Sequence, residues 1–394
     1  MSFRSGRHFL HIPGPSNVPD RILRAIDRPT IDHRGPEFAE LVLGVLPGLR
    51  ELIGTSGPVF LFAASGSGAQ EAALVNTLSA GDTILVIHNG FFATVWQDTA
   101  RKLGLNVEIL DLPWETGVDS NRVAERLSQD AEGEIKAVLV VHNETSSGVT
   151  NNVHDVRLVL DQLRHPALLL VDTVSSLGSI PVEHEKWGVD VTVSSSQKGM
   201  MLPPGLAIQA VSSRALAAAD SATLPRAYWD WKSHLDSNET GFFPSTPATN
   251  LIYGLGEAIT MFREEGLEQV YRRHEHLAEA TRAAVRGWGL EVFCQSSQHY
   301  SPVLTAVTLP EGFDSDVIRD LILDRFDLSL GTGLGKLKGR VFRIGHLGSL
   351  NALMLAGALC GIEMGLQLAG VPIHTEGVQA ALKVLRSRFE LVEE

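Results

Sequence analysis

Between about residues 59 and 212 the chain alternates short, continuous apolar runs with longer amphipathic ones. The apolar runs are VFLFAAS (59–65), TILVIHN (83–89), VEILDL (107–112), KAVLVVHN (136–143), ALLLVD (167–172), DVTVSSS (190–196) and LAIQAVS (206–212). Their length and their Val, Ile and Leu content predict strands, while GAQEAALVNTL (68–78) and NRVAERLSQD (121–130) carry helical spacing. Strands that are apolar on both sides and alternate with helical crossovers predict an α/β architecture: a mostly parallel, seven-stranded sheet covered on both faces. Such a sheet takes ligands beyond the carboxyl ends of its strands. The runs end there in polar residues: Ser65-Gly66-Ser67, His88-Asn89, Asn143-Glu144-Thr145-Ser146, Asp172 and Ser196-Gln197-Lys198. Chemistry is predicted to collect at these positions.

The pattern then changes. Residues 255–288 predict one or two long amphipathic helices. Beyond Gly289, SPVLTAVTL (301–309) and GRVFRIG (339–345) flank the helical DSDVIRDLILDRF (314–326). A chain of 394 residues exceeds the usual size of one hydrophobic core. The predicted organisation is an N-terminal arm over 1–20, a large domain over 21–262 and a smaller α+β domain over 263–394.

Composition narrows the function classes. A net charge of −13 without a lysine-arginine block argues against nucleic acid or an anionic membrane as the main partner. The most apolar segment, LMLAGALCGIEMGLQLAG (353–370), is interrupted by Gly357, Gly361, Glu363 and Gly365 and predicts a packed helix rather than a membrane span. The first residues lack the apolar stretch of a secretory signal. Cys294 and Cys360 make neither a disulfide framework nor a metal site; each is expected to act as a small hydrophobe in a reducing cytoplasm.

Three motif-like segments fail on inspection. GTGLGKLKG (331–339) has Leu330 where a P-loop needs its first glycine, and Leu337 where it needs a hydroxyl for magnesium. SGSGAQ (65–70) lacks the third glycine of a dinucleotide fingerprint. His274 and His276 lie two apart, whereas helical metal pairs are spaced by four, and exposed helix surface is expected there. No Cys–His or acidic cluster suggests a metal.

The strand-end residues make sense as a set. Ser65-Gly66-Ser67-Gly68 opens a predicted helix, where free N–H groups and hydroxyls suit an anion, although a tight turn uses the same residues. Asp172 ends the most apolar strand as either a helix cap or a functional acid. Lys198 ends the next strand, an unusual place for a lysine, and the crossover rule puts both near one sheet edge. Arg343, between apolar residues and glycines, is either a surface residue or a buried fork for a carboxylate. A lysine amine, an acid and an anion site together match the needs of pyridoxal 5′-phosphate: an amine to condense with its aldehyde, an acid for its ring nitrogen and a cradle for its phosphate.

With these residues in view, the chain resembles the fold-type I, class V aminotransferases, most closely the serine–glyoxylate and alanine–glyoxylate members. The resemblance runs nearly end to end, through HIPGPSNVP (11–19), DHRGPEF (32–38), SGSGAQEAALVNTLSAGD (65–82), HNETSSGV (142–149), LLLVDTVSSLGS (168–179), SSSQKGMMLPPGLAI (194–208), TPATNLIYGL (246–255) and GRVFRIGHLGSLNALM (339–354). It implies that Lys198 bonds the cofactor, that Asp172 partners its ring nitrogen, and that Ser65, Gly66, Ser67 and Gln197 hold its phosphate. It further implies Phe92 stacked on the ring, Thr145 or Ser146 beside the phenolic oxygen, and Arg343 on the substrate carboxylate. Pro15 and Ser16 would border the substrate pocket. Thr246 would reach the phosphate of a neighbouring subunit in a homodimer. Gln70 and Ser245 stand where the nearest serine–glyoxylate relatives are expected to carry tryptophan and tyrosine, near the phosphate or pocket mouth. The implied activity is transfer of an amino group from a small amino acid, serine before alanine or aspartate, to glyoxylate. A cysteine desulfurase would need a mobile loop cysteine, which neither Cys294 nor Cys360 offers. A nucleotide-binding module would leave Asp172, Lys198 and Arg343 without a task.

Overall fold

The computed structural model describes residues 6–387. Its strands, in chain order, are β1 (Phe9–His11), β2 (Val59–Phe62), β3 (Thr83–His88), β4 (Asn106–Asp111), β5 (Ile135–Val141), β6 (Asn143–Glu144), β7 (Val149–Thr150), β8 (Leu168–Asp172), β9 (Val191–Ser195), β10 (Ala207–Val211), β11 (Glu291–Val292), β12 (Leu304–Thr308), β13 (Leu328–Thr332) and β14 (Val341–Gly345). Seven of them form one sheet in the order β2-β10-β9-β8-β5-β3-β4. All run parallel except β10, which is antiparallel to both its neighbours. The expected mostly parallel α/β sheet is therefore present.

The apolar runs are continuous because both sheet faces are buried. Alternate residues Val86, Leu139, Val141, Leu170 and Val193 pack on one face against Ala69, Ala72, Ala73 and Trp96. Their neighbours Leu85, Ile87, Val138, Val140, Leu169 and Val171 pack on the other against Val123, Leu127, Val156 and Leu160. On that second face, beyond β2 and β10, lie the helices Pro36–Ile53 and Thr249–Glu265.

A second sheet, β1-β13-β14-β12-β11, packs against the helices Leu267–Gly287, Ser315–Phe326, Ala352–Leu368 and Gly377–Ser387. Its edge strand β1 comes from the expected N-terminal arm and pairs in parallel with β13. The stretch 255–288 resolves into two helices meeting at Gly266, whose φ of +80° is one that side chains rarely adopt. Among the described residues no helix is long and apolar enough to cross a membrane.

Three local expectations change. The segment 136–143 leaves its strand after Val141: the His142 N–H to the Asp172 carbonyl is the last rung of the β5–β8 ladder, and Asn143 then enters the β6–β7 hairpin. His274 is not on exposed helix surface: it is fully buried, with Nδ1 against the Val270 carbonyl and Nε2 accepting the Gly348 N–H. Cys294 is buried as expected, but Cys360 is exposed on the outer face of its helix.

Buried imidazoles set the acid limit of this fold. Burial is the largest cause holding His11, His142, His184 and His234 down to about 4, and His274 to about 3. Folded-state values below the free value mean that the unfolded chain binds protons first as pH falls. The stabilisation is complete above about pH 6.5 and is lost on the way to about pH 4. Urea midpoints are expected to fall from about pH 7 to about pH 5, at up to ~1.4 kcal/mol per pH unit for each such ring. Equal midpoints at both values would show that the rings titrate as in free peptides.

Candidate active site

Parallel pairing of β8 with β9 sets Asp172 opposite Val193, so the chain leaving β9 passes beside the Asp172 carboxylate. Lys198 does not end the strand, as the apolar run suggested. β9 stops at Ser195, and Lys198 lies in a turn held by the Ser196 hydroxyl, which donates to the Pro203 carbonyl and accepts the Leu206 N–H. The N-terminal segment crosses directly over this turn. Ser16 binds it twice, through its N–H to the Gln197 carbonyl (2.9 Å) and its hydroxyl to the Lys198 carbonyl (2.7 Å). The Lys198 amine donates to the Pro13 carbonyl at 2.5 Å. Gly14 has no substitute here: its φ is +109°, and a Cβ would lie 2.1 Å from Lys198 Cδ.

These elements enclose a cavity of about 190 Å³ at the carboxyl edge of the sheet. Ser65, Gly66 and Ser67 line it from the start of the helix Gly66–Thr77, and Asp172 and Lys198 from the floor. Phe92, Val174, Thr145, Gln197 and Pro15 complete much of the wall. Ser16 lies just outside, as the clamp on the lysine turn. Ser146 also stays outside, because its hydroxyl donates to Glu144 Oε1 and accepts the Phe91 N–H. Arg343, on β14, reaches the site through its guanidinium, which donates to the Thr145 and Thr332 carbonyls at 2.7 Å each. Among the described residues Arg343 has no ion-pair partner, although it is only 7% exposed. Thr246 and Ser245 are exposed in the loop before the helix Thr249–Glu265 and do not reach the cavity within the chain.

Burial dominates the electrostatics. It pushes the Asp172 carboxyl up to about 6, opposed by the Val174 N–H and the Gln70 amide; Glu144 adds to the rise and Lys198 subtracts. The Lys198 amine is pulled down to about 8, by burial first and the Arg343 guanidinium second, against Asp172 and Glu144. Arg343 itself is lowered to about 10 by burial. An amine that sheds its proton this readily can serve as nucleophile and base near neutral pH.

Two residues carry more than their sequence pattern suggested. Glu144 stands in a polar strand end without an assigned task, yet its fully buried carboxylate organises the wall. Oε1 accepts the Ser146 N–H and hydroxyl, and Oε2 accepts the Phe92 N–H at the start of the helix Phe91–Lys102. A carboxylate at a helix N-terminus is favourable, and this one anchors Phe92. The readable signal was an acid in a strand-end cluster, with Gly90 ahead of the phenylalanines. Gln70, expected near the phosphate or the pocket mouth, instead donates from Nε2 to Asp172 Oδ2 at 2.6 Å.

The family model for aminotransferase class-V matches residues 9–333. The chain belongs to the class V aminotransferases. It is 46% identical over 390 residues, 97% of each chain, to a serine–glyoxylate aminotransferase of Methylorubrum extorquens. It is 43% identical to an L-aspartate–glyoxylate aminotransferase of Paracoccus denitrificans, covering 94% of each. The ureidoglycine–glyoxylate aminotransferase of Bacillus subtilis superposes with a TM-score of 0.89 at 26% identity, over 98% of this chain and 99% of that one. The fold is thus that of the fold-type I enzymes, and the cofactor of this aminotransferase is pyridoxal 5′-phosphate.

The cavity has the features that cofactor needs. Ser195 Oγ is buried without a hydrogen-bond partner, and the Ser65 side chain makes no capping bond. With the helix N-terminus beside them, they leave an anion cradle unsatisfied. A Cβ at Gly66 would lie 2.6 Å from Val174 Cγ2 and 3.6 Å from Ser195 Oγ, so only glycine keeps this corner open.

At Gly90 a Cβ would fall 2.0 Å from Glu144 Cγ. Gly90→Ala is expected to cost ~1–3 kcal/mol in urea unfolding and to move Phe92, read as a change in near-ultraviolet dichroism. Unchanged values would show that Glu144 gives way freely.

Proposed function

We propose that this class V aminotransferase moves the amino group of a small L-amino acid, serine before alanine or aspartate, to glyoxylate, giving glycine and a 2-oxo acid (hydroxypyruvate from serine). The observation that carries the chemistry is one cavity faced by a buried acid, Asp172, and a proton-shedding amine, Lys198, with an unpaired guanidinium, Arg343, behind its wall. The order of donors rests on the likeness to the serine–glyoxylate relative.

Ser65, Gly66, Ser67 and Gln197 would hold the cofactor phosphate, Phe92 and Val174 its ring faces, Thr145 its phenolic oxygen and Asp172 its ring nitrogen. Bound pyridoxal 5′-phosphate supplies an aldehyde for amine exchange and a cationic ring that draws electrons from the substrate α-carbon. Lys198 would be the base that takes the proton from the substrate α-carbon and, once protonated, the acid that returns it to the substrate–cofactor adduct. Asp172 would keep a negative charge beside the ring nitrogen and so hold a proton there. Arg343 pairs its fork with the substrate carboxylate; that charge repays the cost of burying the guanidinium. Glu144 and Ser146 brace this wall, and Pro15 borders the substrate space.

In the homodimer that the resemblance implies, Thr246, exposed and outside its own chain's cavity, would complete the phosphate site of the neighbouring subunit. The free thiols of Cys294 and Cys360 fit a reducing, cytoplasmic setting.

Mixing the purified protein with serine and glyoxylate is expected to yield hydroxypyruvate and glycine, faster than parallel reactions with alanine or aspartate. A faster alanine or aspartate reaction would reassign the donor, and no turnover with any of the three would overturn the reading. Lys198→Ala is expected to lower kcat by ~10³-fold or more and to remove the visible absorption of lysine-bound cofactor. Arg343→Leu should raise the donor KM by ~10–100-fold, the loss expected for a charge-assisted pair.

A further inference from the structure

Gln70 breaks the pattern of its own helix. Its neighbours on the inward face, Ala69, Ala72 and Ala73, are buried and apolar, and Gln70 is itself only 3% exposed. An apolar side chain would meet the packing need there. Instead Nε2 donates to Asp172 Oδ2, and Oε1 is left buried with no partner. The amide cannot be turned to relieve this, since its oxygen would then face a carboxylate oxygen. A buried orphan kept at an active site is a local cost that folding alone does not explain.

Building on the placement of Asp172 at the cofactor ring nitrogen proposed above, we propose that Gln70 is a positioning residue that keeps the Asp172 carboxylate ionised and aimed into the cavity. The two Asp172 oxygens are divided between fixed donors. Oδ1 accepts the Val174 N–H at 2.8 Å and Oδ2 the Gln70 amide. This leaves the carboxylate one rotational setting, with a free lone pair toward the cavity that Gln70 and Asp172 both line. The charged groups acting on Asp172 come from two other elements: Glu144 on β6, which disfavours its ionised form, and Lys198 in the turn after β9, which favours it. Lys198 cannot be a constant partner, because its amine is directed to the Pro13 carbonyl and is the group that reacts. A neutral donor has no such conflict: it supports the anion throughout turnover and adds no charge that would compete with the ring. Gln70 therefore bears on the acid and not on the choice of amino donor.

The test reads the bound cofactor, not only turnover. A less ionised Asp172 leaves less proton on the ring nitrogen, so the Lys198 nitrogen joined to the cofactor keeps its own proton to higher pH. In Gln70→Leu holoenzyme the pH midpoint of the visible absorption is expected to rise by about half to one unit, and the cofactor dissociation constant by about tenfold. Asp172→Asn should move both readouts the same way and further, and adding Gln70→Leu to it should change neither again. The donor KM should stay put while kcat falls. Gln70→Met, similar in volume, replaces the leucine variant if that one does not fold. Unmoved midpoint and affinity in the single variant would overturn the proposal. So would a shift that persists in the Asp172→Asn background, or altered donor preference with an unmoved midpoint. If Asp172→Asn itself changes neither readout, the fault lies with the placement of Asp172 and the proposal falls with it.

Discussion

The parallel pairing of β8 with β9 is the constraint on which the site depends. It brings the carboxylate that ends one strand beside the turn that follows the next, and both arrive at the same edge. The strands are buried on both faces, so their register is held by side chains on two sides at once. A slip of one residue would turn Asp172 out of the cavity and break both packing layers together. The position of the acid is therefore as secure as the core itself.

Around that edge the molecule holds four ionisable side chains away from water: Asp172, Glu144, Lys198 and Arg343. In a medium of low polarity each charge is costly alone, and the four partly offset one another. The consequence is a carboxyl raised toward neutrality and an amine lowered toward it. Proton exchange near neutral pH follows from burial, with no unusual group required. Hydrogen bonds then give direction: Glu144 to the helix that carries Phe92, Gln70 to Asp172, and Ser16 and Pro13 to the lysine turn.

The N-terminal segment has a structural task that its length does not suggest. β1 completes the small sheet, and only a few residues later Pro13 and Ser16 touch the lysine turn of the large one. Arg343 makes a second link, from β14 to the Thr145 carbonyl at the cavity wall. The two sheets thus meet at the site, and a displacement of either would be felt at Lys198 or Thr145.

The architecture was legible in the residue pattern because period and length carry it. Continuous Val, Ile and Leu runs between helical repeats have few other solutions than a mostly parallel covered sheet, whereas the strand order came only with the tertiary structure. The strand-end rule also located Asp172, Lys198, Ser65, Gly66, Ser67 and Thr145 at one edge, since that placement depends only on chain direction. Contacts across long sequence distances were not legible. Nothing local marks Gln70 as a partner of Asp172, Glu144 as an anchor for Phe92, or Pro13 as an acceptor for Lys198. Likewise, His274 looks like helix surface until the chain near Gly348 is laid over it. Period and chain direction are properties of the sequence itself, whereas hydrogen-bond partners and burial arise only when distant segments are packed, and those decided how the site is tuned.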